Sequence, residues 1–297
     1  MILESSGKLT DEIYAIGLPG LPGYLVLGEK PALFDGGMTF MGPRYLADLR
    51  ALLGDENRLR FNFLTHSHFD HAGAAPYLKR KIEGLKIAAH RLAAETFTRP
   101  NAIELIRSLS RNVEVKNAAA IGGEDVIFSD PRVDIILEEG TEIDLGGGLY
   151  FRTIATPGHT RDAVSYYIPE WKALIAGEAL GTLNAQGDVH CAFLASYRDF
   201  RASQERLAAL DVDILMLGHE NTLTGEDVPA YIRKSLEQTA AFYARIENYL
   251  GEAHGDREAV VQRIHKEDYE EKMSVRQAVR PYLINLAAKV KVVAERK

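Results

Sequence analysis

The chain of 297 residues contains a single cysteine, Cys191. One cysteine cannot form an intramolecular disulfide, which favours a reducing compartment. No apolar run approaches the roughly 20 residues that a membrane-spanning helix needs. Residues 1–10 also lack the charged-then-apolar pattern of a secretory signal. These absences predict a cytoplasmic protein with no membrane partner.

An excess of basic residues is also absent, because the formal net charge is −7. Nucleic-acid binding requires a basic surface, so we expect no nucleic-acid partner. Hydrophobic residues make up 46% of the chain and charged residues 26%, which is ordinary for a globular protein. We expect a small-molecule substrate, and the composition leaves the oligomeric state open.

Short apolar runs alternate with amphipathic stretches along most of the chain, which predicts an α/β fold. The predicted strands are residues 12–16, 24–27, 32–34, 61–64, 85–89, 133–137, 149–155, 163–168, 173–176 and 214–217. The predicted helices are residues 43–53, 74–81 and 197–210.

Two further helical regions suggest the domain organisation. A helical insertion covers about residues 93–120, with an interruption at Pro100. From residue 227 the chain is almost entirely helical, with two apolar stripes. We therefore predict a catalytic domain over residues 1–225 and a C-terminal helical region, residues 226–297, packed on its core.

One short run is rich in metal-binding side chains: His66, His68, Asp70 and His71 lie within six residues. A divalent metal needs imidazole and carboxylate groups that converge, and a loop at a strand end can supply them. His66 and His68 face the same way in extended backbone. Asp70 and His71 follow after the chain turns and can serve a second ion. Two ions a few ångströms apart can share a bridging hydroxide.

Three later strands end in a glycine followed by a residue that can bind metal. The predicted strand ends lead to His159, Glu178 and His219. Together with the histidine run, these residues leave room for a bridging carboxylate and open water positions. Such a site is typical of catalysis rather than of a closed structural metal.

These motifs, in this order, resemble the metallo-β-lactamase superfamily. The resemblance implies an αββα sandwich with a C-terminal helical extension. It implies two divalent ions, one bound by His66, His68 and His159 and the other by Asp70, His71 and His219. Glu178 stands where the family has a bridging aspartate, and Asp35 matches an acid that supports the site without binding metal. Histidine and carboxylate ligands suit zinc, iron or manganese.

Glu178 departs from the family pattern, because glutamate is one methylene longer than aspartate. It can bridge both ions, bind only one, or lie just outside the ligand set. Residues 6–11, residues 177–181 and the helical tail are similar to the aminobenzoylacetyl-coenzyme A thioesterase branch, which lies near the glyoxalase-II-like thioesterases. Thr182 stands where that branch has a second acid.

The resemblance implies a hydrolase in which a metal-bridging hydroxide attacks a thioester or ester carbonyl, for example of an acyl-coenzyme A. Asp70 would bind metal and also pass a proton to the leaving group. Two alternatives stay open. One is a lactonase or another ester hydrolase of the same fold, and the other is a metal-retaining regulatory module with little turnover.

Other residues support weaker hypotheses. His190 beside Cys191 suggests either a further metal pair or a strand beside the pocket. Arg107, Arg111 and Lys116 form either a basic rim for a coenzyme A phosphate or a solvated helix face. Three tyrosines line an acyl pocket or simply pack between helices: Tyr243, Tyr249 and Tyr282.

Overall fold

Two stacked sheets form the centre of the molecule, and helices cover both outer faces. The structure is a computed structural model that describes residues 1–184, 186–275 and 277–296. The αββα sandwich and the C-terminal helices expected from the sequence are confirmed.

The first sheet has the strand order β2-β3-β4-β5-β6-β7-β8 within the described residues. Its strands β5, β6, β7 and β8 run parallel. The strands are β2 (Gly7–Lys8), β3 (Ile13–Leu18), β4 (Leu21–Val26), β5 (Ala32–Phe34), β6 (Phe61–Phe63), β7 (Lys86–His90) and β8 (Ile135–Leu137).

The second sheet has the order β1-β16-β15-β12-β11-β10-β9, and its β12 and β15 are parallel neighbours. A separate hairpin pairs β13 with β14. These strands are β1 (Ile2–Glu4), β9 (Glu142–Gly146), β10 (Leu149–Ala155), β11 (Val164–Ile168), β12 (Ala173–Gly177), β13 (Thr182–Leu183), β14 (Val189–His190), β15 (Ile214–Leu217) and β16 (Asn221–Thr224).

The helices lie on the outer faces and in the tail. They are α1 (Gly42–Leu53), α2 (Phe69–Ala72), α3 (Ala75–Lys81), α4 (Arg91–Phe97), α5 (Pro100–Lys116), α6 (Ala118–Ile121), α7 (Tyr197–Ala208), α8 (Asp227–Glu252), α9 (Arg257–Ile264) and α10 (Val279–Ala294). A π-helix, His265–Glu271, continues α9. Short 3₁₀ turns cover Thr39–Met41, Glu56–Arg58 and Pro169–Trp171.

An aromatic core joins the two sheets. Phe34 and Phe63 of the first sheet pack against Phe151 and Tyr166 of the second, with ring centroids 4.6–6.0 Å apart. Their side chains alternate with outward-facing ones along each strand, so each sheet also presents an apolar outer face to helices. This core fixes the relative placement of the strand ends from both sheets.

The helical insertion and the tail differ in detail from expectation. The insertion consists of α4, α5 and α6, and Pro100 begins α5, where its missing N–H removes no helical hydrogen bond. Asp70 and His71, expected in a loop, lie in the short helix α2. The long helix α8 begins at Asp227. The division into two domains at residue 225 stays a prediction. In the part of the chain that the structure describes, no helix could span a bilayer.

Candidate metal centre

The candidate ligands follow strands of both sheets. His66 comes three residues after the end of β6, and Glu178 and His219 follow the parallel strands β12 and β15. The carboxyl ends of parallel neighbours meet at one edge of a sheet, so these side chains lie together. Gly218, just before His219, is tightly enclosed, because an added Cβ would lie 3.1 Å from His71 Cε1.

All seven candidates from the sequence gather at this edge in two groups. Within each group the potential ligand atoms lie within 4.8 Å of one another. The first group is His66, His68, His159 and Glu178; the second is Asp70, His71 and His219.

Glu178 lies between the two groups. Its Oε1 is 3.4 Å from His159 Nε2 in the first group. The same oxygen is 3.4 Å from His71 Nε2 and 3.2 Å from His219 Nε2 in the second. One carboxylate oxygen therefore faces three imidazoles from both groups.

Hydrogen bonds on the outer side of the cluster fix the imidazoles. His71 Nδ1 is 2.9 Å from Asp35 Oδ2, and His159 Nδ1 is 2.7 Å from the Ala192 carbonyl oxygen. His219 Nδ1 is 3.2 Å from the Gly20 carbonyl oxygen. Each of these oxygens accepts, so in each neutral ring Nδ1 carries the proton and Nε2 presents a lone pair to the cluster.

His66 gives the sharpest indication of a cation site. Its Nδ1 lies 3.0 Å from Thr65 Oγ1, and its Nε2 is buried with no hydrogen-bond partner. A buried polar atom without a partner carries a free-energy cost. The unprotonated Nε2 atoms also converge with a carboxylate oxygen, and their lone pairs repel one another. A bound cation would satisfy the unpartnered nitrogen and remove this repulsion. The donor set therefore fits divalent metal.

The pKa values of His66, His159 and Glu178 agree with the forms that bind metal. Burial, with the neighbouring imidazoles, holds the pKa of His66 well below its usual value, and burial lowers the pKa of His159 to about 4. Burial would raise the pKa of Glu178, but the charge of His159 and the hydrogen bonds of His219 and His71 hold it well below its usual value. Neutral imidazoles and an ionised carboxylate are the forms that bind metal.

Asp35 supports both groups of the cluster, and it belongs to neither of them. Its carboxylate accepts from Thr65 N (2.8 Å), from Thr65 Oγ1 (2.9 Å) and from His71 Nδ1. Burial lowers the pKa of His71, but the charge and hydrogen bond of Asp35 outweigh it, so that pKa lies well above the usual value. Asp35 thus orients the residue before His66 and the ring of His71 together.

The sequence does not predict several of the groups that hold the imidazoles. The contacts of Gly20 and Ala192 are made by backbone carbonyls, so no side chain indicates them. Asp162 accepts from Ser67 N at 2.8 Å and so holds the backbone between His66 and His68. Its place three residues after His159 was the one available hint.

The weaker candidates have other contacts. Arg107 and Arg111 both approach Glu104, at 3.9 and 3.8 Å. Tyr243 stacks on Tyr197 with centroids 4.0 Å apart. A solvated helix face accounts for the contacts of the two arginines, and ordinary helix packing accounts for those of Tyr243.

Comparison with known proteins decides the family. The sequence profile of the metallo-beta-lactamase superfamily matches residues 18–219. The chain belongs to this superfamily. It is similar to a hydroxyacylglutathione hydrolase of Acidiphilium cryptum (strain JF-5), with 33% identity over 191 residues. That match covers 64% of this chain and 62% of the relative, so the superfamily member described here spans less than two thirds of that relative's length.

Solved structures extend the likeness of this superfamily member to nearly the whole chain. A metallo-beta-lactamase family protein from Thermus thermophilus has a TM-score of 0.68 and 19% identity, and the match covers 97% of this chain and 95% of that protein. An archaeal superfamily protein from Sulfolobus tokodaii has a TM-score of 0.62 and 20% identity, with 96% and 99% covered. At these identities the likeness concerns the fold alone.

Proposed function

We propose that this superfamily member is a dinuclear metal-dependent hydrolase that cleaves thioester or ester carbonyls. One observation carries the proposal. Glu178 Oε1 lies within 3.4 Å of imidazole nitrogens from both groups of the cluster. A carboxylate between two sets of inward-facing lone pairs suits two neighbouring cations.

One ion would be held by His66, His68 and His159, and the other by Asp70, His71 and His219, with Glu178 shared between them. When bound, two divalent ions would activate a water molecule and stabilise the oxyanion of the attacked carbonyl. Zinc, iron and manganese all accept this donor set.

Asp70 would have a second role in moving a proton. Its Oδ2 lies 3.9 Å from His219 Nε2, and its side chain is 19% exposed, so the carboxylate is accessible from the open side of the cluster. A carboxylate there can accept the proton of the attacking water and deliver it to the leaving group.

A thioester is the favoured substrate class for two reasons. The name of the Acidiphilium cryptum relative denotes an acylglutathione, which is a thioester. The residues around Glu178 also resemble a thioesterase branch. Because the match spans only 62% of that relative, the acyl and thiol parts of the substrate are left to experiment.

The test is a substrate panel run with metal analysis. Protein loaded separately with zinc, iron or manganese is assayed on acyl-coenzyme A, acyl-glutathione, lactone and simple ester substrates. We expect metal-dependent turnover of at least one thioester. Lactone turnover alone would replace the thioesterase proposal, and fully loaded protein with no turnover on any carbonyl compound would support a regulatory module instead.

A further inference from the structure

A buried lysine lies in the C-terminal helices outside the metal cluster. Lys289 of α10 is 2% exposed and is packed among apolar side chains of the tail. Its Nζ is 3.1 Å from His190 Nε2 and 5.8 Å from the centre of the Phe242 ring. Among residues 1–184, 186–275 and 277–296, no carboxylate lies within ion-pair distance of this ammonium.

No acidic group that influences Lys289 compensates its charge. Burial raises the pKa of the Cys191 thiol, which keeps it neutral, and the two carboxylates already have other partners. Asp268 pairs with Arg245 at 2.8 Å and with Lys272 at 3.2 Å, and Glu178 belongs to the metal cluster. Burial accordingly lowers the pKa of Lys289 to about 8. A buried ammonium without a counter-ion is costly, whereas methionine or leucine at this position would pack without that cost. The lysine therefore points to an anion supplied from outside the chain.

His190 connects this lysine to the metal cluster. It ends β14, whose partner β13 follows closely after Glu178. Its carbonyl oxygen would lie 2.6 Å from a Cβ added at Gly181. Two residues further on, the carbonyl of Ala192 accepts from His159. His190 thus lies near the cluster, close enough for the charges of Glu178 and His219 to act on its ring, and Lys289 contacts that ring.

Lys289 also determines which ring nitrogen of His190 can donate a hydrogen bond. The ammonium donates to Nε2, so the proton of the neutral ring is on Nδ1. The charge of Lys289, with burial, lowers the pKa of His190 to about 3, which keeps the ring neutral. The ring is only partly buried, and Nδ1 makes no hydrogen bond to any described residue. His190 therefore offers one free N–H, with a buried positive charge behind it.

We propose that His190 and Lys289 form an anion-recognition pair that binds a carboxylate carried by the acyl part of the substrate. His190 Nδ1–H donates to the carboxylate, and Lys289 supplies the compensating charge through the imidazole. This rests on the proposed function, because it assigns the substrate class of the same hydrolytic site.

The chemistry favours a carboxylate over a phosphate. The pair offers one N–H and one positive charge, which matches a monoanion, whereas a phosphate dianion is held by several charged donors. The surroundings are aromatic, with the Tyr282 ring 6.3 Å from that of His190 and Phe242 beside Lys289. Such apolar surroundings favour a group with a single charge on an acyl chain over a more highly charged group.

The experiment compares matched substrates on matched variants, all in the metal-loaded protein. The substrates are succinyl, glutaryl and adipyl thioesters, each paired with a neutral thioester in which an isopropyl group replaces the terminal carboxylate. The variants are Lys289→Met and Lys289→Arg. Lys291→Met, on the exposed face of the same helix, is the control.

We expect wild type and Lys291→Met to prefer at least one acidic thioester over its neutral isostere. Lys289→Met should lose about 10-fold or more in kcat/KM on that acidic substrate, because the positive charge that strengthens the hydrogen bond from His190 is gone. It should keep neutral turnover, metal content and melting temperature. Lys289→Arg should retain part of the preference because it keeps the charge.

Equal losses on acidic and neutral substrates, or no preference in wild type, would overturn the proposal while leaving the hydrolase intact. If no thioester is turned over at all, the proposed function fails, and the pair is then tested by binding. Glutarate should raise the melting temperature of wild type but not of Lys289→Met; an equal shift in both would reject the anion pair.

Discussion

The two halves of the metal cluster are built in different ways. The half on the first sheet takes His66, His68, Asp70 and His71 from one six-residue segment after β6. The half on the second sheet takes single residues from three separate strand ends: His159, Glu178 and His219. Side chains orient the first half, through Asp35 and Thr65, whereas the backbone carbonyls of Ala192 and Gly20 orient the second.

This difference predicts how each half fails. Substitution can remove a side-chain support directly, as at Asp35. A hydrogen bond from a backbone carbonyl is lost only if the backbone moves. The second half therefore depends on the tight turns that fix the backbone around its ligands. Gly158, just before His159, has φ +133°, and an added Cβ would lie 2.3 Å from Phe200 N and Cα. Only glycine fits there.

Removing metal should have the largest effect, because it empties both proposed ion sites at once. Chelation with dipicolinate should reduce hydrolysis by about 10³-fold or more, since activation of water and oxyanion stabilisation are lost together. Activity is measured before and after dialysis and after each metal is added back. Undiminished hydrolysis by protein shown to be metal-free would contradict the proposed chemistry.

Asp70→Asn should have the next largest effect on turnover. The variant keeps the shape of the side chain but removes the carboxylate. According to the proposal this carboxylate binds metal and transfers a proton, so kcat should fall by about 10²–10⁴-fold. Steady-state kinetics and metal content are measured together. Asp213→Asn, at an exposed site beside Lys172, is the matched control. Wild-type turnover in Asp70→Asn would exclude the proton-transfer role.

Gly158→Ala tests the backbone-supported half. The clash with Phe200 should reduce the free energy of unfolding by about 1–3 kcal/mol. The φ angle, which alanine rarely adopts, adds further strain. The melting temperature should fall, and metal should be lost first from the ion site that His159 shares with His66 and His68. Gly187→Ala, in open space but also at positive φ, separates backbone strain from the clash. Equal destabilisation in the two variants would show that the close contact is unimportant.

Asp35→Asn should give the mildest effect, because it alters a support and leaves every ligand in place. Loss of the carboxylate that fixes the His71 ring should weaken metal binding by about 10–100-fold. Competition with a metal-sensitive dye measures the affinity. An unchanged affinity would mean that Thr65 and the sheet hold this half without Asp35.

The proximity of the side chains in the first half could be predicted from the sequence because they lie in one short segment, whereas their role as metal ligands stays a prediction. His66, His68, Asp70 and His71 form a local pattern that few structural roles explain. His159, Glu178 and His219 were predicted only from an apolar strand followed by glycine. The sequence could not indicate where Glu178 Oε1 lies, because that depends on the joint placement of three strands and α2.

The bounds of three strands agree with expectation residue for residue: β5, β10 and β15. The strands β5 and β15 are apolar on both faces, whereas β10 alternates buried and exposed residues over its first half. The strands β1 and β16 were missed because they are short and lie far apart in the sequence, with Ile2 paired to Leu223. Lys289 was overlooked although it lies three residues after Leu286 and four before Val293, at apolar helical spacing.

The most direct measurement is anomalous X-ray diffraction from crystals of the metal-loaded protein. We predict two peaks on either side of Glu178, one about 2.0–2.2 Å from the imidazole nitrogens of His66, His68 and His159 and the other at that distance from those of His71 and His219, with the Glu178 carboxylate bound to both. A single peak, or two peaks with Glu178 turned away from one of them, would contradict a carboxylate shared between the two groups of ligands.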